Sequence, residues 1–166
     1  NRPQPVKGRG EPLDVDPTHL AAIQKAMFAV VNESGGTAGG SRIRKKGWQM
    51  AGKTGTSQVR FITKEERAKG VFRNEDLPWE RRDHALFVNF APYDNPEIAV
   101  SVVVEHGGGG SSVAAPIARD ITLEALFRGP PPPEAYPASD REKKMEERQE
   151  IEERLNALGS EGSTRA

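Results

Sequence analysis
The chain has 166 residues, 35% of them hydrophobic and 29% charged, which suits one modest domain or part of a larger one. Its 24 Lys and Arg are balanced by 24 Asp and Glu, so it lacks the basic footprint of a nucleic-acid binder. The absence of cysteine removes disulfides, zinc–thiolate sites and thiol nucleophiles, and the longest strongly apolar run, near residues 99–104, falls far short of the ~20 residues of a membrane helix. Because the first residue is Asn1, a processed, excised or truncated chain is expected. No signal peptide is visible, so any anchor of a parent protein would lie outside this sequence.

Residues 1–15 are rich in Pro, Gly and charge and read as an irregular lead-in. Asp16-Pro17 is a helix start, Asp as N-cap and Pro in the first turn. Leu20, Ile23, Met27 and Val30 then form an apolar stripe that ends before Gly35-Gly36. Met27 and Phe28 are expected in the core. The basic patch of Arg42, Arg44, Lys45 and Lys46 reads as a solvated loop or strand edge.

Residues 48–61 read as a strand that contains Lys53-Thr54-Gly55-Thr56-Ser57. Residues 63–82 are polar and aperiodic, a long connection of the kind that is often functional. Residues 84–91 and 97–105 read as two strands joined through Pro92-Tyr93-Asp94-Asn95-Pro96, a hairpin signal. The second arm is almost continuously apolar, which predicts an interior strand covered on both faces. After the glycines at 107–110, a helix is expected to about Phe127, with Pro116 in its first turn and Val113, Ile117 and Ile121 on one face.

The fold class that follows is α+β, an antiparallel sheet with helices packed on it, occupying residues 1–128. Four prolines at 130–133 read as a stiff linker. Residues 139–158 are highly charged, with Ser139-x-x-Glu142 as a capping box and Gly159 as a stop. Met145, Ile151, Leu155 and Leu158 are too sparse for a coiled-coil seam. Residues 129–166 are therefore expected outside the domain, as a solvated helix or disordered segment, with a partner-binding helix as the alternative.

Lys-Thr-Gly alone is a weak motif, but it belongs to those of serine penicillin-binding proteins and β-lactamases. The chemistry is coherent. Lys53 would place an ammonium in a cleft and attract a carboxylate substrate. Thr54 and Thr56 would offer it hydroxyls. Gly55 would let a ligand approach the strand edge, and the Thr56 N–H would act as an oxyanion donor in acyl transfer. Ser57 extends the same wall. His84 reads as a structural hydrogen-bonder rather than a general base, and Tyr93 and Asn95 as turn residues. Phe72 and Trp79 could rim a cleft. His19, His84 and His106 lack metal-ligand spacing, so neither metal nor cofactor is expected.

Gly52-Lys53-Thr54-Gly55-Thr56-Ser57-Gln58-Val59, Arg82-Asp83-His84, Phe90-Ala91-Pro92-Tyr93-Asp94-Asn95-Pro96, Glu105-His106-Gly107-Gly108-Gly109-Gly110 and Ala115-Pro116 occur in that order. Together they closely resemble the end of the transpeptidase domain of class B penicillin-binding proteins, best the elongation-specific penicillin-binding protein 2 type. The resemblance covers roughly residues 12–128. It implies a serine β-lactamase-like fold and a D,D-transpeptidase that attacks D-Ala-D-Ala stem peptides through a serine acyl-enzyme and is trapped by β-lactams. It also implies a periplasmic location on a membrane anchor, with a lipid-II polymerase and elongation-complex proteins as partners.

The family's nucleophile lies in Ser-x-x-Lys and its second motif reads Ser-x-Asn. No serine here has lysine at the third position or asparagine at the second. The fragment alone is thus expected to be inert. The alternatives are a serine β-lactamase or D,D-carboxypeptidase fragment, or a non-catalytic interaction module that works through its tail.

Overall fold
The computed structural model describes the backbone of residues 14–70 and 72–163, and side chains as far as Ala157 in the last helix. The expected lead-in at 1–13 and Leu158 as a side chain lie outside the described residues.

Helix α1 spans Pro17–Asn32, and the Asp16 carboxylate accepts the Thr18 N–H at 2.7 Å. After Asn32 the chain doubles back, with the Ala38 N–H donating to the Val30 carbonyl at 3.0 Å. A Cβ on Gly36 would collide with the Ala29 and Val30 carbonyls, so this return needs glycine. The predicted stripe is only half used. Met27, Phe28 and Val30 are half-buried and Val31 fully buried, while Leu20 and Ile23 stay exposed.

Three strands, β1 (Ala51–Ser57), β2 (His84–Ala91) and β3 (Ile98–Val104), form an antiparallel sheet in the order β1-β2-β3. Lys53 stands opposite Val88, Gly55 opposite Leu86, Ser57 opposite His84, and Leu86 in turn opposite Val103. Strand β1 is shorter than the predicted 48–61, because pairing ends where β2 begins. The preceding residue, Asp83, gives its N–H to the Asn74 side chain at 2.8 Å instead.

Strand β2 is the central strand, and it alternates cleanly. Ala85, Phe87, Asn89 and Ala91 are buried, with the Asn89 amide donating to the Thr122 hydroxyl at 2.8 Å. Strand β3 is not the interior strand that its apolar run predicts. Among the described residues it is an edge strand, and Ala99, Ser101 and Val103 on one face are exposed, Val103 at 59%. Continuous hydrophobicity here marks a face left open within this chain rather than one covered by it.

The polar connection is more ordered than its sequence suggests. Thr63 caps helix α2 (Lys64–Lys69), and single 3-10 turns follow at Asn74–Asp76 and Trp79–Arg81. Arg60 grips Glu66 through two hydrogen bonds at 2.7 and 2.5 Å and holds its carboxyl below the usual range.

Helix α3 (Ala115–Phe127) follows a π-helical turn, Gly110–Ala114. The predicted face is rotated: Ile117 and Ile121 are exposed, and Ala115, Ala118, Thr122 and Leu123 are buried. Ala115, Ala118 and Leu123 join Phe87 in one core cluster, and Arg119 is buried on the same helix. At its end the rings of Trp48 and Phe127 lie 4.2 Å apart, with the Lys45 ammonium against both.

The tail does not leave the domain at Gly129. Pro131 is fully buried, Ala135 is 0% and Tyr136 2% exposed, and Arg44 N–H donates to the Ala135 carbonyl at 2.8 Å. Arg119, 1% exposed, pairs with Asp120 at 2.8 Å and with Asp140 at 2.5 Å, and lies over the Tyr136 ring. Four prolines thus make a rigid strap along the body, because their low conformational freedom makes docking cheap.

Helix α4 (Arg141–Ser163) follows. Ser139 does not form the predicted capping box, since its hydroxyl bonds the Asp140 carboxylate at 2.7 Å. Gly159 does not stop the helix either, because glycine inside a helix costs only about 1 kcal/mol.

Candidate functional site
Among the described residues β1 is paired on one side only, so its other edge is free. The register sorts its side chains. Thr54 and Thr56 stand opposite Phe87 and Ala85, both buried, and so share the face that meets α3. Lys53, Gly55 and Ser57 share the opposite face. Lys53, Thr56 and Ser57 are exposed, and Thr54 and Gly55 half-buried.

The backbone alternates as well. Lys53 Nζ donates to the Thr54 carbonyl at 2.8 Å, which therefore turns away from β2. Gly55 sits in the ladder opposite Leu86. In an antiparallel strand the outward groups recur every second residue, so the Thr56 N–H also projects from the free edge. The Lys53 ammonium, the Thr54 and Thr56 hydroxyls and a Thr56 N–H with no partner among the described residues thus gather along one edge. The Thr54 hydroxyl lies 3.2 Å from that of Thr37 in the turn after α1.

Glycine is required at Gly110 and closely packed at Gly55, which faces it. A Cβ on Gly110 would fall within contact distance of the Gly55 and Leu86 carbonyl oxygens and 3.0 Å from the Gly55 nitrogen. The π-helical turn therefore lies directly on the β1 and β2 backbones. A Cβ on Gly55 itself would stand 3.2 Å from Leu86 Cβ. Gly55 is thus constrained by packing as well as by any ligand at the edge.

A cluster of rings anchors the far end. His84, opposite Ser57, accepts the His106 N–H on its Nδ1 at 2.8 Å. The His106 ring reaches the Arg82 carbonyl at 3.0 Å and packs 4.4 Å from Trp79. His84 is a structural hydrogen-bonder, as its sequence context predicts. Gly108 N–H closes the segment on the Asp83 carbonyl at 2.8 Å. Tyr93, between Phe28 and Phe90, is a packing residue of the turn. Phe72 and Trp79 are both exposed. Among the described residues no three His, Cys, Asp or Glu side chains cluster as metal ligands.

The sequence reveals β1 but not what holds it. The glycines at 107–110 read there only as a strand breaker. Their signal was the run length, since ending a strand needs a single glycine.

A strand with a Lys-Thr-Gly edge, an antiparallel hairpin behind it and a closing helix place the chain among folds of the penicillin-binding class. The sequence matches the family of the penicillin binding protein transpeptidase domain over residues 8–123, and the chain belongs to that family. It is 38% identical over 123 residues to the peptidoglycan D,D-transpeptidase MrdA of Haemophilus influenzae, covering 74% of this chain and 18% of that protein. To MrdA of Acinetobacter baumannii it is 44% identical over 99 residues, 57% of this chain and 13% of the relative. Pseudomonas aeruginosa PBP2, solved in complex with WCK 5153, superposes with a TM-score of 0.51 at 36% identity, covering 74% of this chain and 23% of that one. PBP2 of Helicobacter pylori, solved in complex with MreC, gives 0.51 at 31% identity, covering 67% and 17%. The chain spans about a fifth of the length of these relatives.

Proposed function
We propose that this chain forms one wall of the active site of a peptidoglycan D,D-transpeptidase, a penicillin-binding protein that cross-links stem peptides during cell elongation. The observation that carries the reading is the convergence of the Lys53 ammonium, two threonine hydroxyls and the Thr56 N–H on one strand edge left unpaired among the described residues. Similarity to MrdA proteins over most of this chain supports it.

In this reading the carboxylate of a D-Ala-D-Ala terminus lies along β1. It accepts from the Thr54 and Thr56 hydroxyls and is attracted by Lys53. A serine in a Ser-x-x-Lys motif elsewhere in the domain adds through Oγ to the penultimate D-Ala carbonyl. The Thr56 N–H donates to the oxyanion as it forms, the kind of contact that contributes most when water is excluded. The C–N bond breaks and D-Ala leaves with the proton on its amine. An acceptor amine then attacks the ester, forming the cross-link and freeing the serine. A β-lactam follows the first half and remains as the acyl-enzyme.

The partners follow from the same reading: stem peptides, β-lactams, a lipid-II polymerase and an elongation-complex protein of the MreC kind. So does a periplasmic site of action on a membrane anchor. No helix among the described residues is long and apolar enough to cross a membrane.

The test is acylation by a fluorescent penicillin. The intact protein is expected to label, and this chain alone is not. Lys53→Ala in the intact protein should slow labelling by about a hundredfold or more, the scale of losing one charge-stabilising group from an acyl-transfer site. Labelling of the isolated chain, or an unchanged rate in the variant, would remove β1 from the active site.

A further inference from the structure
We infer that the groove between the end of α3, the proline strap and the middle of α4 is a docking surface for a basic amphipathic segment of a partner protein. The groove has a volume of about 480 Å³ and is lined by Glu124, Pro130, Arg148, Ile151, Glu152 and Leu155. All six lie beyond residues 8–123, the part that matches the transpeptidase family. The inference therefore does not rest on the reading of the active site.

Helix α4 is attached to the body along one face. Arg141 donates to the Tyr136 carbonyl at 3.2 Å, Lys144 pairs with Asp120 at 2.8 Å, and Arg148 donates to the Pro131 carbonyl. These positions are spaced by three and four residues, the spacing of a single helical stripe. The same stripe continues with Ile151 and Leu155, where the body no longer reaches. They are 57% and 63% exposed. An otherwise charged helix thus turns its aliphatic residues toward the one side where a second wall, Glu124 and Pro130, is already present.

Charge selects the occupant. The carboxylates of Glu124 and Glu152 rim the apolar floor, and neither forms an ion pair among the described residues. Between residues 146 and 157 five glutamates face two arginines, and of those arginines Arg148 is held by the strap. A second copy of this chain would bring the same carboxylates against their like, and an anionic lipid surface would be repelled. A helix with Leu-type residues at i, i+3, i+4 and i+7 and Lys or Arg on its flanks satisfies both floor and rim.

The probe is a labelled amphipathic peptide with leucines at that spacing and lysine flanks, titrated into the intact protein by fluorescence anisotropy. Controls are a glutamate-flanked peptide and a scrambled peptide of the same composition. The lysine peptide is expected to bind, more weakly as salt rises, and the controls to bind at least about tenfold more weakly, a difference of about 1.4 kcal/mol. Ile151→Asp with Leu155→Asp should abolish the preference for the ordered peptide. Glu124→Lys with Glu152→Lys should transfer it to the glutamate-flanked peptide. Equal binding of ordered and scrambled peptides, no effect of either double variant, self-association lost with the aspartate pair, or co-sedimentation with anionic vesicles would each overturn the proposal.

Discussion

Gly110 lies on Gly55 with no room for a methyl group between them. One residue opens a helix and the other is the glycine of the Lys-Thr-Gly strand, 55 positions earlier in the chain. The backbone that presents the candidate site is thus supported from behind by another backbone, the shortest spacer a protein has. Rigid support of this kind holds donors in place without reorganisation.

Gly110→Ala should therefore displace β1. The expected cost is about 1–3 kcal/mol of stability, the range for overpacking, with a larger proportional loss of penicillin acylation. Gly109→Ala is the control. Its Cβ would meet only the movable Ser112 hydroxyl, and its φ of −91° suits any residue. Thermal melts and labelling rates on both variants decide the matter. Equal behaviour of the two would show that the contact is not structural.

Thr54→Val and Thr56→Val keep the β-branched shape of the strand and remove one hydroxyl each. If these hydroxyls hold a carboxylate, both variants should lose acylation by a substrate bearing one, each by about tenfold, and little stability. Thr54→Val also removes the partner of the Thr37 hydroxyl at 3.2 Å. Losses limited to melting temperature would assign the threonines to packing.

The core should respond to Phe87 more than to any residue of the free edge. Phe87 is fully buried at the centre of the sheet. Phe87→Ala should cost about 3–5 kcal/mol, read as a drop in denaturation midpoint. Val103→Ala on the exposed face of β3 should stay within about 0.5 kcal/mol when this chain is measured by itself.

Acid should loosen the strap before it unfolds the sheet. Burial raises the Asp140 carboxyl, but hydrogen bonds from Ser139 and Arg119 outweigh it and leave it below its usual value of 3.8. A depressed folded value means stability that is complete above the unfolded value. It is lost as pH falls through the folded one, below about pH 4. The fluorescence of Tyr136 against Arg119 should report this step. Arg119→Met should remove it at a cost of about 2–3 kcal/mol. That is less than for a fully buried pair, because Asp120 and Asp140 stay 26% and 31% exposed. An unchanged acid limb in Arg119→Met would show that the pair does not govern it.

Much of this architecture was legible from residue order. The Asp16-Pro17 cap, the hairpin around Pro92 and the end of α3 at Phe127 are local signals, and each appears where it was expected. The edge strand was legible through its motif. What the sequence hid was set by partners distant along the chain. The burial of Ala115 and Ala118 in place of Ile117 and Ile121 depends on which face of α3 joins Phe87 in the core. The position of β3 depends on which strands are present, and periodicity carries no information about that. The strap was hidden for another reason. A proline run has the same composition whether it spans solvent or lies on protein, and only Ala135 and Tyr136 reveal which.

The strap also changes where this unit can be cut. A chain trimmed after α3, at the limit of family similarity, would lose both Asp140 and the Tyr136 ring over Arg119. It would leave a guanidinium at the bottom of an open furrow with Asp120 alone for company. Such a piece would be prone to precipitate when expressed, although the Lys-Thr-Gly strand would still be in it. The natural boundary for cloning, and for any exchange of this module between proteins, falls after the first turns of α4 rather than before the prolines.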